Sequence, residues 1–313
     1  MVCVKKRWLL LFVSNVVGVV VVLVNGQSQV PAIFIFGDSQ AEDGNNNNLP
    51  TNAKANYKPY GIDFPSGIPT GRFTNGLTAI DIIGQLLGFE DFIPAYANTS
   101  GYDILQGVNY ASGAAGIRFE TGRQLGAVIS LGEQIINHRI TVLRIAARLG
   151  SYQNALEYLN KALYYVNIGS NDYLNNYFLP QYYLTSRIYP TTQQYAQVLV
   201  AQLNSYLLDL HNVGARKVVL VGLGSIGCIP REIKNGLLDP SLGFTQFTSS
   251  CCPTREDGQC AEGGVPFSNR NEYVFYDQFH PTQKVNYLTA FKTYNGTTPG
   301  FTYPMDVKTL AQS

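Results

Sequence analysis

Short apolar runs alternate with longer amphipathic stretches along most of this chain. Residues 30–36 (VPAIFIF) carry no charge and end at Gly37-Asp38-Ser39. A brief apolar run bounded by glycine predicts a buried strand. The glycine- and proline-rich segment 57–76 has turn chemistry and no period, so it reads as a loop. Residues 77–87 predict a helix. Residues 107–111 (GVNYA) are a weaker strand signal that runs into the small-residue block 112–116. A second helix is predicted over 131–149, with Ile136, Ile140, Leu143 and Ala147 as its apolar stripe. Residues 162–168 (ALYYVNI) read as a strand ending at Gly169-Ser170-Asn171-Asp172. Residues 195–213 predict a helix with Leu199, Leu203, Tyr206, Leu210 and Val213 on one face, and 216–223 (RKVVLVGL) a strand of the parallel-sheet kind.

Strands alternating with helices imply a parallel sheet covered on both faces. In such sheets functional groups gather beyond the carboxyl ends of the strands. Ser39, Gly113 and Asn171 each follow one. The stretch 228–276 breaks the rhythm, with no helix face and only scattered strand pattern. A structureless stretch of that length implies that its cysteines order it or that an element is missing.

Residues 1–26 stand apart. Lys5, Lys6 and Arg7 precede an apolar run over 8–24, and small and polar residues follow. That is the layout of a secretory signal peptide cleaved after Gly26; a short membrane anchor is the rival reading. Residues 27–313 then form a single domain. Its 19 Lys and Arg face 21 Asp and Glu, and no basic run points to nucleic acid. Cleavage also removes Cys3, which leaves Cys228, Cys251, Cys252 and Cys260. An even number in a secreted chain suggests two disulfides, with three possible pairings. No CxxC pair suggests zinc. Asn98-Thr-Ser and Asn295-Gly-Thr are glycosylation sequons.

The chemistry turns on one serine and three histidines. Ser39 lies at a strand-to-loop turn where a hydroxyl can be exposed, although a GDS tripeptide alone equally suits a capped polar turn. His138 and His211 fall within amphipathic helices, where a surface or helix-end role is the ordinary one. His280 follows Asp277 by three residues, a spacing that lets the carboxylate hold one ring nitrogen while the other acts as base. Asn171 can donate its amide to an oxyanion or simply form an Asx-turn. The Gly113 N–H is a further possible donor, because glycine admits close approach.

Together these segments resemble the plant-type GDSL esterase/lipase family of the SGNH hydrolases. The resemblance covers almost all of the mature chain. It rests on FIFGDS ending at Ser39, DGNNN from Asp43, GRFTNG from Gly71, NYASGAAG from Asn109, GSND from Gly169, GCIP from Gly227, DQFHP from Asp277 and YPMD from Tyr303. It implies a three-layer α/β/α sandwich on a flavodoxin-like parallel sheet. It also implies Ser39 as nucleophile, His280 as base, Asp277 as its orienting carboxylate, and an oxyanion hole from the Ser39 N–H, the Gly113 N–H and Asn171. The expected protein is a secreted, extracellular monomer, in the cell wall if the source is a plant. It would cleave small-molecule or lipid esters with no metal or organic cofactor and no stable membrane insertion.

Two departures stand out. Gln40 follows the nucleophile where the family has an apolar residue. Between Glu232 and Asp239 the chain lacks a helix and strand that the family carries, so an internal deletion near 233–240 would remove the fifth, edge strand and its covering helix. The alternatives are a catalytically impaired, truncated member or a secreted non-catalytic binding protein.

Overall fold

A computed structural model describes residues 28–99, 103–224, 230, 244–296 and 298–313. The predicted leader, Cys228 and the deletion near 233–240 lie outside them. Four parallel strands form the central sheet: β1 (Ile33–Gly37), β2 (Gly107–Asn109), β3 (Leu163–Asn167) and β4 (Lys217–Leu220), in the order β2-β1-β3-β4. The chain builds outward from β1 to β2, then crosses to β3 on the other side. The carboxyl ends of β1 and β3 therefore flank the topological switch point, where such sheets open a crevice.

Period-two alternation splits the strands between two cores. Phe34, Phe36, Tyr164 and Val166 face the layer made by α2 (Leu131–Leu149), α3 (Tyr152–Leu159) and α6 (Thr192–Asn212). Ile33, Ile35, Leu163 and Tyr165 face α1 (Ala79–Leu86), α7 (Gln283–Asn295) and α8 (Val307–Gln312). Two short helices, α4 (Ser170–Asp172) and α5 (Thr185–Ile188), follow β3. Capping boxes begin the main helices. Thr78 pairs with Asp81 at α1, Ser130 with Glu133 at α2 and Thr191 with Gln194 at α6, each satisfying orphan N–H groups of a first turn.

The apolar stripe expected on α2 is the wrong one. Ile136, Ile140, Leu143 and Ala147 are exposed; Leu131, Gln134, Ile135, His138, Thr141, Val142 and Ile145 are buried. Both stripes have helical spacing, and a count of apolar residues passes over the one containing Gln134 and His138. Gln134 is buried because both ends of its amide find partners. Gln134 grips the peptide of Gly37, accepting from its N–H at 2.9 Å and donating to its carbonyl at 2.8 Å.

His138 is correspondingly no surface residue. The rings of Phe34, Phe36, Tyr110 and Tyr164 enclose it at 4.8–5.5 Å between centroids. Nδ1 lies 3.2 Å from the Tyr110 hydroxyl, Nε2 has no partner among the described residues, and burial pushes the imidazole pKa down to about 3. The folded state thus prefers neutral His138, while the unfolded chain protonates it near its ordinary 6.5. Its stabilising contribution is complete above that pH. It should be lost as pH falls toward 3, by up to about 1.4 kcal/mol per pH unit. Urea midpoints of wild type and His138→Phe at pH 7 and pH 5 check this. The variant should show the smaller acid loss, and equal losses would refute the account. Asp38 and Asp43, which burial pushes up to about 7, titrate in both proteins and cancel in the comparison.

At β4 the covering layers separate. Val219 and Val221 pack into the second core, whereas Val218 and Leu220, paired in register with Tyr164 and Val166, are 36% and 48% exposed. Among the described residues no strand pairs with the outer edge of β4. Of the stretch 228–276, the described residues 244–276 carry more regular structure than their pattern suggested. β5 (Gln246–Ser250) and β6 (Tyr273–Phe275) form a parallel pair, and a disulfide joins Cys252 to Cys260. Of the expected cysteines, Cys251 is a buried free thiol.

Candidate active site

β1 ends on a glycine for a steric reason: a Cβ at Gly37 would lie 2.6 Å from the carbonyl oxygen of Asn167 on β3. With Gln134 holding the Gly37 peptide, the chain turns sharply. The N–H groups of Ala41 and Glu42 both donate to the Asp38 carbonyl at 3.1 Å, and Gln40 N–H donates to the Asp38 carboxylate at 3.0 Å. Ser39 stands at this turn, and its own N–H has no acceptor among the described residues. The Gln40 side chain is partly exposed.

The structure brings Ser39 and His280, 241 positions apart, to 2.7 Å between Oγ and Nε2. Nδ1 of His280 lies 2.7 Å and 2.9 Å from the two oxygens of Asp277, which also accepts from the backbone N–H of Phe279 and His280. Asp277 is fully buried, so four donors rather than water satisfy its charge. The fourth is the Tyr60 hydroxyl, donating to Oδ2 at 2.7 Å.

Tyr60 was not legible as a site residue. It lies in the glycine- and proline-rich loop, where only turns could be read. Its hydroxyl also accepts from Cys260 N–H at 3.0 Å. The disulfide-bonded segment therefore braces the carboxylate that orients His280. Phe73, within the GRFTNG segment, packs against the His280 ring at 4.9 Å with the planes tilted by 37°. It also reaches the glycine block, since a Cβ at Gly113 would come 2.9 Å from Phe73 Cζ. GRFTNG was a signal in sequence for this neighbourhood, but it did not say which side chain touches the histidine.

Beyond β3, Asn171 donates through Nδ2 to the Ala115 carbonyl at 3.0 Å and accepts from Asn175 Nδ2 at 2.7 Å, which leaves one amide N–H with no acceptor among the described residues. Asp172 turns back into the glycine block, accepting from Ile117 N–H, Arg118 N–H and the Thr121 hydroxyl. Burial raises its pKa to about 6. The Gly113 N–H, expected at the oxyanion, instead donates to Glu42 Oε2 at 2.7 Å. The remaining histidine, His211, is exposed near the end of α6. Among the described residues no cluster of His, Cys, Asp and Glu could hold a metal ion, and no helix is long and apolar enough to cross a membrane.

The arrangement is a hydroxyl, an imidazole and a buried carboxylate in series. That can activate an oxygen nucleophile for acyl transfer. Comparison with known proteins agrees. Residues 33–290 match the profile of the GDSL-like lipase/acylhydrolase family. Two Arabidopsis thaliana proteins, each named a GDSL esterase/lipase, are similar over nearly their whole length. One is 43% identical over 92% of this chain and 93% of its own; the other is 41% identical over 98% of each.

Proposed function

Because the chain belongs to the GDSL-like lipase/acylhydrolase family and is a hydrolase acting on ester bonds, we propose that it cleaves carboxylic esters through Ser39, His280 and Asp277 by way of an acyl-enzyme. The observation carrying this reading is the continuous hydrogen-bond series from Ser39 Oγ through His280 to buried Asp277. Ser39 Oγ attacks the ester carbonyl carbon as Nε2 takes its proton. The carbonyl π pair moves onto oxygen, which meets the Ser39 N–H and the unused amide N–H of Asn171. Collapse breaks the bond to the alcohol oxygen, and His280 returns the proton to it. Water, deprotonated by the same nitrogen, then releases the acid and restores Ser39. Asp277 fixes the ring so that Nδ1 carries hydrogen and Nε2 faces the serine.

Small-molecule or lipid esters are the proposed substrates. Covalent labelling by a fluorophosphonate tests the assignment: adduct mass on the Ser39 peptide, absent in Ser39→Ala, is expected. Labelling that survives this change would overturn it. The exposed face of Val218 and Leu220 is the one observation favouring an impaired member, and an unlabelled wild-type protein would establish that reading.

We also propose secretion. The basic and apolar order of residues 1–26 supports it, as do the exposed side chains of Asn98 and Asn295 at their sequons. N-terminal sequencing of secreted material should begin at Gln27, with sugar on at least one asparagine. A mature chain retaining residues 8–24 would show the anchor reading to be the right one.

A further inference from the structure

The turn after β2 is held in an unusual way. Ala115 N–H donates to the Ser112 carbonyl at 3.1 Å, and Ala114, between them, has φ of 64°, a left-handed conformation that a residue with a Cβ seldom adopts. Something must hold it there. Glu42 and Asn46 are both fully buried and approach from the asparagine-rich loop. The Glu42 carboxylate bridges two backbone donors, Asn46 N–H at 2.6 Å and Gly113 N–H at 2.7 Å. The Asn46 side chain accepts from the Ser112 hydroxyl at 2.6 Å and donates to the Gly113 carbonyl at 3.1 Å. Gly113 is thus gripped at its N–H and its C=O from one side.

The direction of the next N–H follows. The peptide between Gly113 and Ala114 is trans, so the Ala114 N–H points opposite to the Gly113 carbonyl and away from Asn46. It belongs to a residue only 5% exposed and finds no acceptor among the described residues. Buried N–H groups without a partner are rare, and one beside an active site requires an explanation. The same turn receives the Asn171 amide at Ala115, and Gly113 lies beside Phe73, which packs against His280.

We propose that Glu42 and Asn46 are positioning residues that aim the Ala114 N–H, in place of the Gly113 N–H, at the oxyanion formed on Ser39. The proposal rests on the ester-hydrolase reading above. Glu42 touches neither substrate nor the triad; it acts through the Gly113 peptide. Glutamine at 42 is nearly the same shape, but its NH₂ would face a backbone N–H and release one side of the grip.

The test compares wild type, Glu42→Gln, Asn46→Asp and Ser39→Ala on p-nitrophenyl butyrate. It also measures inhibition by a trifluoromethyl ketone, whose adduct carries the oxyanion. Loss of an aimed donor costs kcat up to roughly 10²–10³-fold. Glu42→Gln should therefore lower kcat by about 10–100-fold, weaken the ketone in parallel and leave KM within about twofold. Asn46→Asp should do the same, and the double variant should lose less than the product of the two, because both grip one peptide. A Glu42→Gln protein with altered melting temperature but unchanged kcat and ketone affinity would overturn the proposal. Should Glu42→Gln fail to fold, a backbone ester at residue 114 (lactic acid for alanine) removes the N–H directly. Loss of kcat there supports the assignment, and a larger loss from the equivalent ester at Gly113 overturns it. Full activity of Ser39→Ala would instead defeat the underlying reading.

Discussion

Ser39→Ala and His280→Ala are each expected to lower kcat for ester hydrolysis by roughly 10⁶, the loss found when a triad serine or histidine is removed from a serine hydrolase. The reason lies in the series arrangement. Without Oγ there is no atom to form the acyl-enzyme. Without Nε2 the hydroxyl must lose its proton to water, and at neutral pH almost none does so. Combining the two changes should cost little more than either alone, since they act as one unit. Asp277→Asn keeps the shape but lets the imidazole take the wrong tautomer, for which a loss near 10⁴ is the precedent. It also places an amide NH₂ against the N–H groups of Phe279 and His280 or against the Tyr60 hydroxyl. Melting temperatures must therefore accompany the rates. Near-wild-type hydrolysis by the folded Ser39→Ala protein would remove the serine from the mechanism.

Asn171→Ala should lower kcat by roughly two to three orders of magnitude with KM nearly unchanged, because an oxyanion donor acts where charge develops and not on the ground-state ester. The side chain has a second duty. It satisfies the buried Ala115 carbonyl, and leaving that group unpaired costs about 1–3 kcal/mol. The variant should thus melt earlier as well as turn over more slowly. Asn171→Asp keeps the size but loses both duties, because a carboxylate cannot donate to the Ala115 carbonyl and places negative charge beside a developing oxyanion. Its kcat should fall at least as far as that of the alanine variant, and it should melt no later. An Asn171→Ala protein that loses stability or substrate affinity while keeping kcat would make this asparagine structural.

The parallel α/β architecture was legible because buried strands leave a signature that needs no partner: brief, uncharged and glycine-bounded, as at 30–36 and 162–168. Helix α2 was placed to the residue and still turned the wrong way. Periodicity says that a helix has a face; which face is buried depends on what the sheet offers. Here that is the Gly37 peptide for Gln134 and an aromatic cage for His138. The cysteine segment hid its strands because β5 and β6 are short and separated by a disulfide loop, and neither carries the apolar alternation of a core strand.

The sequence by itself determined the order of elements, the chemistry available at the ends of two strands, and the short-range pairing of Asp277 with His280, since a three-residue turn suffices to close it. Only the tertiary structure decided what crosses long separations. It brought Ser39 to His280, raised Tyr60 out of an unpatterned loop to the Asp277 carboxylate, and gave the Gly113 N–H to Glu42. Such contacts depend on three-dimensional register between segments. A side chain 200 positions away leaves no local periodicity by which it could be foreseen.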